Sequence, residues 1–328
     1  MAKIAKKYYT EEQHRLEEMN HSHPEISRYA RNLNLEAIKG NLSPIYNREE
    51  ILSIAQKILL RRNKANILLV GAAGCGKTAI AEALASLFVE QQVSYDKVIA
   101  DAKKAFEKQE CEWAKVGGEP ISAPVVNIPK PLFYDCVIYD LSMNALLSGA
   151  QYRGQFEERI QNIINLASCD KHIILFIDEI HQINAINGTE SQGTASMGQI
   201  LKPALARGDI RVIGATTTEE SRVIKQDKAL ARRFSEVYVP QLSGEVAVQC
   251  LENIMADYSK FHDVKFDETI SSLGIYLKTR QQLPHTVFPN NVIDIVDEVL
   301  ASAKFEGKTT VSIAEVNAVI GRMIALNQ

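Results

Sequence analysis

Residues 67–78 read Ile-Leu-Leu-Val-Gly-Ala-Ala-Gly-Cys-Gly-Lys-Thr, and from Gly71 to Thr78 they match the pattern G-x-x-x-x-G-K-[ST] in full. The apolar run Ile67–Val70 is typical of a strand that is buried in a parallel sheet. After the loop, apolar residues recur at helical spacing between positions 80 and 88. A strand, a glycine-rich loop and a helix in this order form the context that a phosphate-binding loop requires. This stretch therefore predicts a nucleotide-binding α/β fold.

The loop supplies the predicted contacts to ATP. Its glycines let consecutive backbone N–H groups turn inward toward phosphate oxygens, and the N-terminus of the following helix adds partial positive charge. We expect Lys77 to neutralise the β- and γ-phosphates and the Thr78 hydroxyl to ligate Mg²⁺. The predicted nucleotide-binding residues of the loop are Gly71, Ala72, Ala73, Gly74, Cys75, Gly76, Lys77, Thr78 and Ala79.

A second apolar strand, Ile173–Ile177, ends in two acidic residues, Asp178 and Glu179. We expect Asp178 to hold the metal and its water shell, and Glu179 to orient and polarise the attacking water. Alone, this pattern also describes a strand that is followed by a solvated acidic turn. The complete phosphate-binding loop upstream favours the catalytic interpretation.

Two weaker features complete the predicted site. The strand Ile210–Ala215 ends in three threonines beginning with Thr216, and a hydroxyl there is placed to sense the γ-phosphate. Threonine at a strand end is nevertheless commonplace. Arg232 and Arg233 follow an apolar stretch, and an arginine that reaches a neighbouring subunit's γ-phosphate stabilises the transition state. Two adjacent arginines are usually a solvated face, and the residues alone leave both alternatives open.

The remaining pattern predicts two domains. Another strand at Cys136–Leu141 and the helical stretches between the strands indicate a parallel sheet that helices cover on both faces. After Pro240 the strand signals fade, and three helices are predicted within the last third of the chain. We therefore predict a lead-in at 1–40, a large ATPase domain at 41–240 and a small helical domain at 241–328.

Residues 95–131 interrupt this pattern. They combine a charged, helix-like stretch with a loop that is rich in glycine and proline. Such a segment between two elements of a sheet domain predicts a surface insertion.

Composition excludes several classes of protein. The formal net charge of -3 gives no support for a general nucleic-acid-binding surface, and no apolar run approaches the length of a membrane span. Five cysteines without C-x-x-C spacing indicate reduced thiols and a cytoplasmic protein. The N-terminal residues carry lysines and glutamates without an apolar run, and predict either a solvated helix or an arm that docks on a neighbouring subunit.

Several further motifs carry a resemblance to a known family. The run Tyr152–Arg159 reads Y-R-G-Q-F-E-E-R, Ile174–His181 reads I-L-F-I-D-E-I-H, and Leu201–Gly208 reads L-K-P-A-L-A-R-G. Together with Gly214–Thr217 and Arg232–Phe234, they occur in the order found in the first ATPase module of the Clp-type AAA+ unfoldases and disaggregases. From about Ile26 to its C-terminus, the chain resembles that module.

The resemblance implies roles that spacing alone does not. Tyr152 would be the aromatic residue of the main pore loop, gripping a polypeptide in a homo-hexameric ring, and Asn187–Gly198 would be a second pore loop. Thr216 would be the sensor residue, and Arg232 and Arg233 would act on the neighbouring subunit's ATP. The segment Ser43–Glu50 is similar to the family's D-P-V-I-G-R-D-E, which would put Ile45 on the adenine base. Ile45 is equally well explained as a core residue, and Asn47 replaces the family's glycine.

The chain also departs from the family. We expect it to lack the N-terminal substrate domain, the coiled-coil insertion and the second ATPase module. In the small domain, Phe288–Asp294 lacks the lysine of the family's L-P-D-K-A-I-D, so a second basic sensor is not expected there. No I-G-F or I-G-L tripeptide supports docking to a peptidase.

Three functions are compatible with these observations. The leading hypothesis is an ATP-hydrolysing ring motor that unfolds or remodels protein substrates. The alternative is a nucleotide-dependent assembly switch, which docks a partner protein through residues 95–131 without threading it. A nucleic-acid motor is the third, and the acidic net charge and the family resemblance count against it.

Overall fold

A six-stranded sheet forms the centre of the larger domain in this computed structural model, which describes residues 2–42, 44–115, 128–148, 153–182, 197–284 and 286–326. Its strand order is β1-β3-β4-β5-β2-β6. All neighbouring strands are parallel except β1, which pairs antiparallel with β3. The strands are β1 (Ala30–Asn32), β2 (Asn66–Val70), β3 (Val137–Leu141), β4 (Ile173–Ile177), β5 (Arg211–Thr216) and β6 (Phe234–Tyr238).

Helices cover both faces of this sheet. Successive strand residues point to opposite faces, so Ile67 and Leu69 pack in one buried cluster while Leu68 and Val70 pack in another. The described helices are α1 (Ala2–Ser22), α2 (Pro24–Ser27), α3 (Leu33–Lys39), α4 (Glu49–Leu59), α5 (Lys77–Lys115), α6 (Met143–Leu147), α7 (Arg153–Cys169), α8 (Met197–Arg207), α9 (Ser221–Gln226) and α10 (Lys228–Ala231). The predicted fold of a parallel sheet covered on both faces is confirmed.

A smaller helical unit follows the sheet and has its own buried cluster, which contains Leu251, Val292 and Leu300. Its helices are α11 (Gly244–His262), α12 (Ser272–Gln282), α13 (Asn290–Phe305) and α14 (Ile313–Leu326). A short parallel pair of strands, β7 (Lys265–Phe266) and β8 (Thr310–Val311), ties its loops together. The predicted small helical domain at the C-terminal end is confirmed as a feature of the fold, while its boundary at residue 241 stays a prediction.

The N-terminal segment is part of the sheet domain. Leu16 is fully buried and Tyr8 packs beside Val89 and Val93 of α5. The buried Glu12 carboxylate accepts hydrogen bonds from Gln92 Nε2 at 2.7 Å and from Arg15 Nε at 2.8 Å. The expectation of a solvated helix is therefore wrong across residues 8–16, while an arm that docks on a neighbouring subunit stays a prediction.

The predicted insertion begins as a continuation of helix α5. This helix runs without a break for 39 residues from Lys77 to Lys115, about 58 Å at 1.5 Å per residue. Its first half is buried against the sheet and its second half is mostly exposed. Residues 116–127 of the predicted loop lie outside the described residues. No helix in the described part of the chain is long and apolar enough to cross a membrane.

Candidate active site

A cleft of about 860 Å³ opens between the carboxyl ends of the strands and the helical unit. The carboxyl ends of parallel strands are the usual place for a ligand in an open α/β sheet. Residues of the predicted phosphate-binding loop line its floor, and Asp178, Glu179 and Thr216 line one wall. The fold therefore brings the loop together with the acidic pair and the predicted sensor, although Thr78 and Asp178 are 100 residues apart in the chain.

The loop geometry requires glycine at three positions. A Cβ on Gly71 would lie 2.4 Å from the backbone oxygen of Val239, which is too close for any other residue. Gly74 and Gly76 have φ angles of +77° and +93°, in the region that side chains with a Cβ rarely adopt. The sequence pattern G-x-x-G-x-G thus follows from the backbone path that turns the loop around a concave surface.

Lys77 and the start of helix α5 provide the positive charge of this surface. Lys77 is the first residue of the helix, so the N–H groups of its first turn point toward the loop. Its Nζ donates hydrogen bonds of 2.9 Å to the carbonyl oxygens of Gly71 and Ala72. An ammonium group held over the loop beside free N–H groups suits the phosphates of a nucleotide.

Thr78 and Asp178 meet across the floor of the cleft. The Thr78 hydroxyl donates a hydrogen bond of 2.7 Å to Asp178 Oδ2, and the backbone N–H of Glu179 donates to Asp178 Oδ1 at 2.9 Å. These two side chains offer a hydroxyl and a carboxylate oxygen, which are the ligand types that Mg²⁺ prefers. These two oxygen ligands therefore fit a magnesium ion that would also bind the phosphates of a nucleotide.

Glu179 has an unusual backbone conformation. Its φ angle is +49°, which is uncommon for a residue other than glycine. The turn directs Glu179 to the cleft wall, where its carboxylate accepts a hydrogen bond from Gln182 Nε2. Such conformations cluster at functional sites, because the surrounding structure must hold them in place. Ile180 supplies part of that support, since its N–H donates to the Ala215 carbonyl at 2.9 Å.

Thr216 belongs to a polar network beside the acidic pair. It is buried, and its Oγ1 lies 3.2 Å from Nδ1 of His181. The same nitrogen lies 3.2 Å from the Glu220 carboxylate, which accepts a hydrogen bond of 2.8 Å from the Thr217 hydroxyl. The Thr217 hydrogen bond and, after it, the His181 charge lower the pKa of Glu220. The sequence indicated a hydroxyl among the threonines that begin at Thr216, and the structure adds His181 and Glu220 to the network.

Arg48 supports the loop from below, a role that the sequence did not predict. Its side chain is 5% exposed, and Nη2 donates a hydrogen bond of 3.0 Å to the carbonyl oxygen of Cys75. Burial lowers the pKa of this guanidinium and raises the pKa of the neighbouring Cys75 thiol. A buried cation at the centre of the loop adds to the positive charge that faces bound phosphates.

The helical unit forms the apolar end of the cleft. Ile45, the residue predicted to contact the base, lies there with four residues from the far side that sequence reasoning missed, namely Leu242, Cys250, Ile254 and Ile293. Burial raises the pKa of the Cys250 thiol to about 11, so the thiol is neutral and apolar in character. An apolar pocket of this kind suits the flat ring of adenine.

Two further contacts join the segment before α4 to helix α11. The Tyr46 hydroxyl donates a hydrogen bond to the Asp257 carboxylate, and Asn47 Nδ2 donates to Gln249 Oε1 at 3.2 Å. Asn47 has a φ angle of +55°, so it adopts the left-handed conformation that is easiest for glycine. The replacement of the family's glycine by asparagine therefore keeps the backbone path and adds a contact to the helical unit.

The mouth of the cleft is rich in carboxylates. Glu82 and Asp140 line it beside Asp178 and share the Arg31 guanidinium, at 2.8 Å and 3.5 Å respectively. Burial is the largest cause that raises the pKa of Asp140, and Asp178 and Glu82 raise it further. The sequence did not predict Glu82, Asp140 or Arg31, because none of them belongs to a recognised motif.

The remaining predicted residues lie elsewhere. Arg232 and Arg233 are exposed and do not line this cleft, so a role in catalysis requires another copy of the chain. Tyr152 lies outside the described residues. The predicted second pore loop, residues 187–198, also lies outside them, except that its last two residues begin helix α8. In the helical unit Asn290 lines the cleft, while Asn291 Nδ2 donates to the Thr286 hydroxyl at 2.8 Å.

Comparison with known families matches most of the sheet domain and almost the whole of the helical unit. The model of the ATPase family associated with various cellular activities (AAA) matches residues 67–241, more than half of the chain. The AAA lid domain matches residues 243–327. The cleft therefore lies between an ATPase domain and its lid.

Individual relatives are Clp-type chaperones. The chain is 34% identical to chaperone protein ClpB 1 of Synechocystis sp., over 86% of its own length and 27% of that protein. It is 35% identical to the ATP-binding subunit ClpL of Staphylococcus aureus, over 83% and 34% of the two lengths. A closed-state reconstruction of Hsp104 with ATPγS and FITC casein superimposes with a TM-score of 0.71 at 28% identity, covering 92% of this chain and 45% of that one. The chain thus spans about a quarter to a third of these two relatives.

Proposed function

Because this chain belongs to the AAA family of ATPases, we propose that it hydrolyses Mg-ATP and uses the energy to unfold or remodel protein substrates. The hydrogen bond between Thr78 and Asp178, with Glu179 beside it in a cleft closed by a lid, is the observation that carries the ATPase proposal. The likeness to ClpB 1 and ClpL, and to an Hsp104 structure that contains casein, supports a protein substrate. The scattered cysteines support a cytoplasmic location.

Within one subunit, different residues bind the nucleotide and activate the attacking water. The loop N–H groups and Lys77 bind and orient the phosphates, and Arg48 holds the loop from below. The apolar end of the cleft holds the base. Mg²⁺ held by Thr78 and Asp178 would neutralise phosphate charge when it is bound. Glu179 accepts the proton of the attacking water, and Thr216 is positioned to contact the γ-phosphate.

A second copy of the chain completes this site. Arg232 and Arg233 are exposed, are outside their own cleft and follow the family's motif order. We assign them to the γ-phosphate of a neighbouring subunit, where an arginine typically accelerates hydrolysis by about 10³–10⁵. This arrangement requires a closed assembly, and a homo-hexamer is the form that the resemblance implies.

The ATPase proposal is tested by the variant Glu179→Gln. The variant is expected to bind ATP normally and to hydrolyse it at least about a hundredfold more slowly, because the amide cannot accept the proton. Glu219→Gln is the matched control, since Glu219 is an exposed carboxylate that follows the neighbouring strand β5 and does not line the cleft. Equal turnover of the two variants, measured by phosphate release, would remove Glu179 from the catalytic role.

The motor proposal is tested separately with Tyr152→Ala. In the assembled ATPase this variant is expected to keep its basal hydrolysis and to lose ATP-dependent unfolding of a tagged fluorescent substrate. Tyr238→Ala serves as the control, because Tyr238 is a tyrosine that is 65% exposed and does not line the cleft. Substrate unfolding at an unchanged rate by the Tyr152→Ala protein would contradict threading by this residue.

A nucleotide-dependent assembly switch is the second candidate. It is favoured by the middle of helix α5, where residues between Leu87 and Val98 line a groove with the segment at 128–133. In this groove Leu132 is 75% exposed and Val98 is 47% exposed. If the groove docks a partner protein, Leu132→Asp is expected to abolish capture of that partner while basal ATPase activity stays unchanged. Unfolding of substrates by the Leu132→Asp protein at the normal rate would favour the motor instead.

A further inference from the structure

A histidine joins the acidic turn after β4 to the end of β5, beside the predicted sensor. Nδ1 of His181 lies 3.2 Å from the Thr216 hydroxyl oxygen and 3.2 Å from the Glu220 carboxylate. The imidazole is 16% exposed and Thr216 is buried, so water competes little for the contact between them. One ring nitrogen therefore lies between a carboxylate and the hydroxyl that is proposed to contact the γ-phosphate.

The position of His181 is fixed by the residue before it. Ile180 is buried, and its N–H donates to the Ala215 carbonyl at 2.9 Å. Its side chain packs closely on Gly214, since a Cβ at that glycine would lie 2.5 Å from Ile180 Cδ1. The turn that carries His181 and the end of β5 are thus held together by a backbone hydrogen bond and a close apolar contact.

A reciprocal pair of hydrogen bonds fixes the carboxylate. Thr217-Thr218-Glu219-Glu220 has the T-x-x-E spacing of a capping box, at the turn that leads into α9. The Glu220 N–H donates to Thr217 Oγ1 at 3.2 Å, and Glu220 Oε2 accepts from the Thr217 hydroxyl at 2.8 Å and from its N–H at 3.4 Å. The Glu220 side chain is therefore held in place although it is 41% exposed, and His181 contacts the same oxygen.

These contacts determine which atom of the ring carries hydrogen. The Thr217 hydrogen bond and, after it, the His181 charge lower the pKa of Glu220, so its carboxylate can only accept. A bare Nδ1 would turn its lone pair toward that carboxylate, whereas a protonated Nδ1 donates to it. The hydrogen is therefore assigned to Nδ1, in the neutral ring as well as in the charged one.

The direction of the Thr216 hydroxyl follows from this assignment. A hydroxyl that faces an N–H group must accept, so its own hydrogen turns away from the ring. Thr216 lines the cleft with Lys77 and Thr78, and its hydroxyl forms no other hydrogen bond within the part of the chain that the structure describes. Its hydrogen is therefore available to an acceptor in the cleft.

We propose that His181 and Glu220 are positioning residues, which orient the Thr216 hydroxyl as a hydrogen-bond donor to the γ-phosphate of ATP. Because ADP lacks this phosphate, the arrangement strengthens the binding of ATP and leaves the binding of ADP unchanged. A Thr216 hydroxyl that donated to a bare ring nitrogen would instead turn its lone pairs toward the phosphate oxygens. The inference rests on the proposed role of Thr216, and it adds two side chains that act through this threonine.

The variants His181→Leu and His181→Asn separate the hydrogen bond from the packing. The two new side chains are similar in size and shape, but only the amide offers an N–H donor near the position of Nδ1. In the Glu179→Gln background, His181→Leu is expected to raise the Kd of Mg-ATP at least fivefold and to keep the Kd of Mg-ADP within twofold. His181→Asn is expected to keep both within twofold, as measured by fluorescence titration.

The matched control is His172→Leu. Nδ1 of His172 also lies close to a carboxylate, at 3.0 Å from Asp170, but this pair precedes β4 at the end of the strand away from the cleft. The control is expected to leave the Kd of both nucleotides within twofold.

Thr216→Val tests whether the histidine acts through the threonine. This substitution removes the hydroxyl and keeps the branched shape, and it is expected to raise the Kd of Mg-ATP at least as much as His181→Leu. Because both variants lose the same contact to the γ-phosphate, the double variant is expected to match Thr216→Val alone. Glu220→Gln is expected to raise the Kd of Mg-ATP at least twofold, since a neutral amide no longer selects a protonated Nδ1.

The outcomes distinguish the inference from the proposed function. An unchanged Kd of Mg-ATP in His181→Leu or in Glu220→Gln overturns the inference. Equal losses of ATP and ADP affinity in His181→Leu also overturn it, because the residue would then only support the shape of the cleft. A His181→Asn protein as weak as His181→Leu, or additive losses in the double variant, overturn it as well.

In all of these cases the ATPase proposal stands. An unchanged Kd of Mg-ATP in Thr216→Val has a different consequence, because it removes the sensor role of Thr216 together with the inference. Phosphate release by the Glu179→Gln and Glu219→Gln proteins still tests the ATPase on its own.

Discussion

Asn47 combines an unusual backbone conformation with a side-chain hydrogen bond to the lid. Its φ angle of +55° is in the left-handed region, and its side-chain amide donates to Gln249 of the lid. Asparagine adopts this region more readily than most residues, because its short polar side chain can hydrogen-bond locally. A β-branched side chain such as valine cannot form this hydrogen bond, so nothing offsets the cost of its left-handed conformation.

Substitutions at Asn47 are therefore expected to separate the effect of its backbone conformation on stability from the effect of its hydrogen bond to Gln249. Asn47→Gly should keep the thermal stability close to that of the parent protein, while Asn47→Val should lower the free energy of unfolding by about 1–2 kcal/mol. Thermal and urea denaturation measure both. Asn63→Val is the control, since Asn63 is an exposed loop residue without a positive φ. Equal stability of the two valine variants would show that the left-handed conformation carries no cost.

Helices α6 and α7 are joined by one arginine at the edge of the segment that contains Tyr152. Arg159 of α7 donates Nη1 hydrogen bonds to the carbonyl oxygens of Leu146 at 2.7 Å and Ser148 at 2.9 Å, at the end of α6. Its guanidinium carbon lies 5.2 Å from the centre of the Tyr29 ring. The planar guanidinium thus ties the C-terminal carbonyls of one helix to another helix and to an aromatic face.

If Tyr152 grips substrate as proposed, Arg159→Lys is expected to uncouple hydrolysis from unfolding. A lysine keeps the charge but lacks the planar guanidinium that reaches these carbonyls and packs on the Tyr29 ring at the same time. Substrate unfolding should fall at least threefold per ATP hydrolysed, with basal ATPase activity within twofold of the parent. Arg222→Lys, at an exposed arginine of α9, is the control. A parallel fall in ATPase activity would instead show that Arg159 supports the fold as a whole.

Strands and helices were predictable to different degrees. The central strands β2, β4 and β5 are continuous apolar runs because both of their faces are buried. Edge strands β1 and β6 were missed, since Ala-Arg-Asn and Phe-Ser-Glu-Val-Tyr mix polar with apolar residues on partly exposed faces. The charged, helix-like stretch from residue 95 was predicted to belong to a separate insertion, yet it continues helix α5 without a break to Lys115.

On the scale of the whole molecule, the lid is attached to the ATPase domain by contacts far apart in sequence. Tyr46 packs against the lid's apolar cluster, and its hydroxyl donates to Asp257 of α11. Burial and, after it, this hydrogen bond raise the pKa of the Tyr46 phenol. Because the lid supplies one side of the base pocket, the position of α11 determines the shape of the cleft.

Removal of this hydrogen bond is expected to weaken nucleotide binding. Tyr46→Phe keeps the ring packing and loses the donor, and a net loss of about 1 kcal/mol corresponds to an increase in Kd of about fivefold. Asp257→Asn keeps an acceptor for the hydroxyl and should change the Kd less. Fluorescence titration with an ATP analogue measures both variants, and an unchanged Kd for Tyr46→Phe would show that the lid is held by packing alone.

Local pattern was enough to predict the loop Gly71–Thr78, the acidic pair Asp178–Glu179, the central strands and the family, because each of these is a contiguous motif whose chemistry and backbone path depend on neighbours in the chain. Arg48 beneath the loop, the lid residues Cys250 and Ile293, and the polar network beside the predicted sensor were decided only by the tertiary structure. Each depends on contacts between segments that are distant in sequence. No local sequence pattern shows which polar side chains become buried or which charges come together on one surface. The motifs identify an ATP site, whereas the packing of lid against sheet determines its shape.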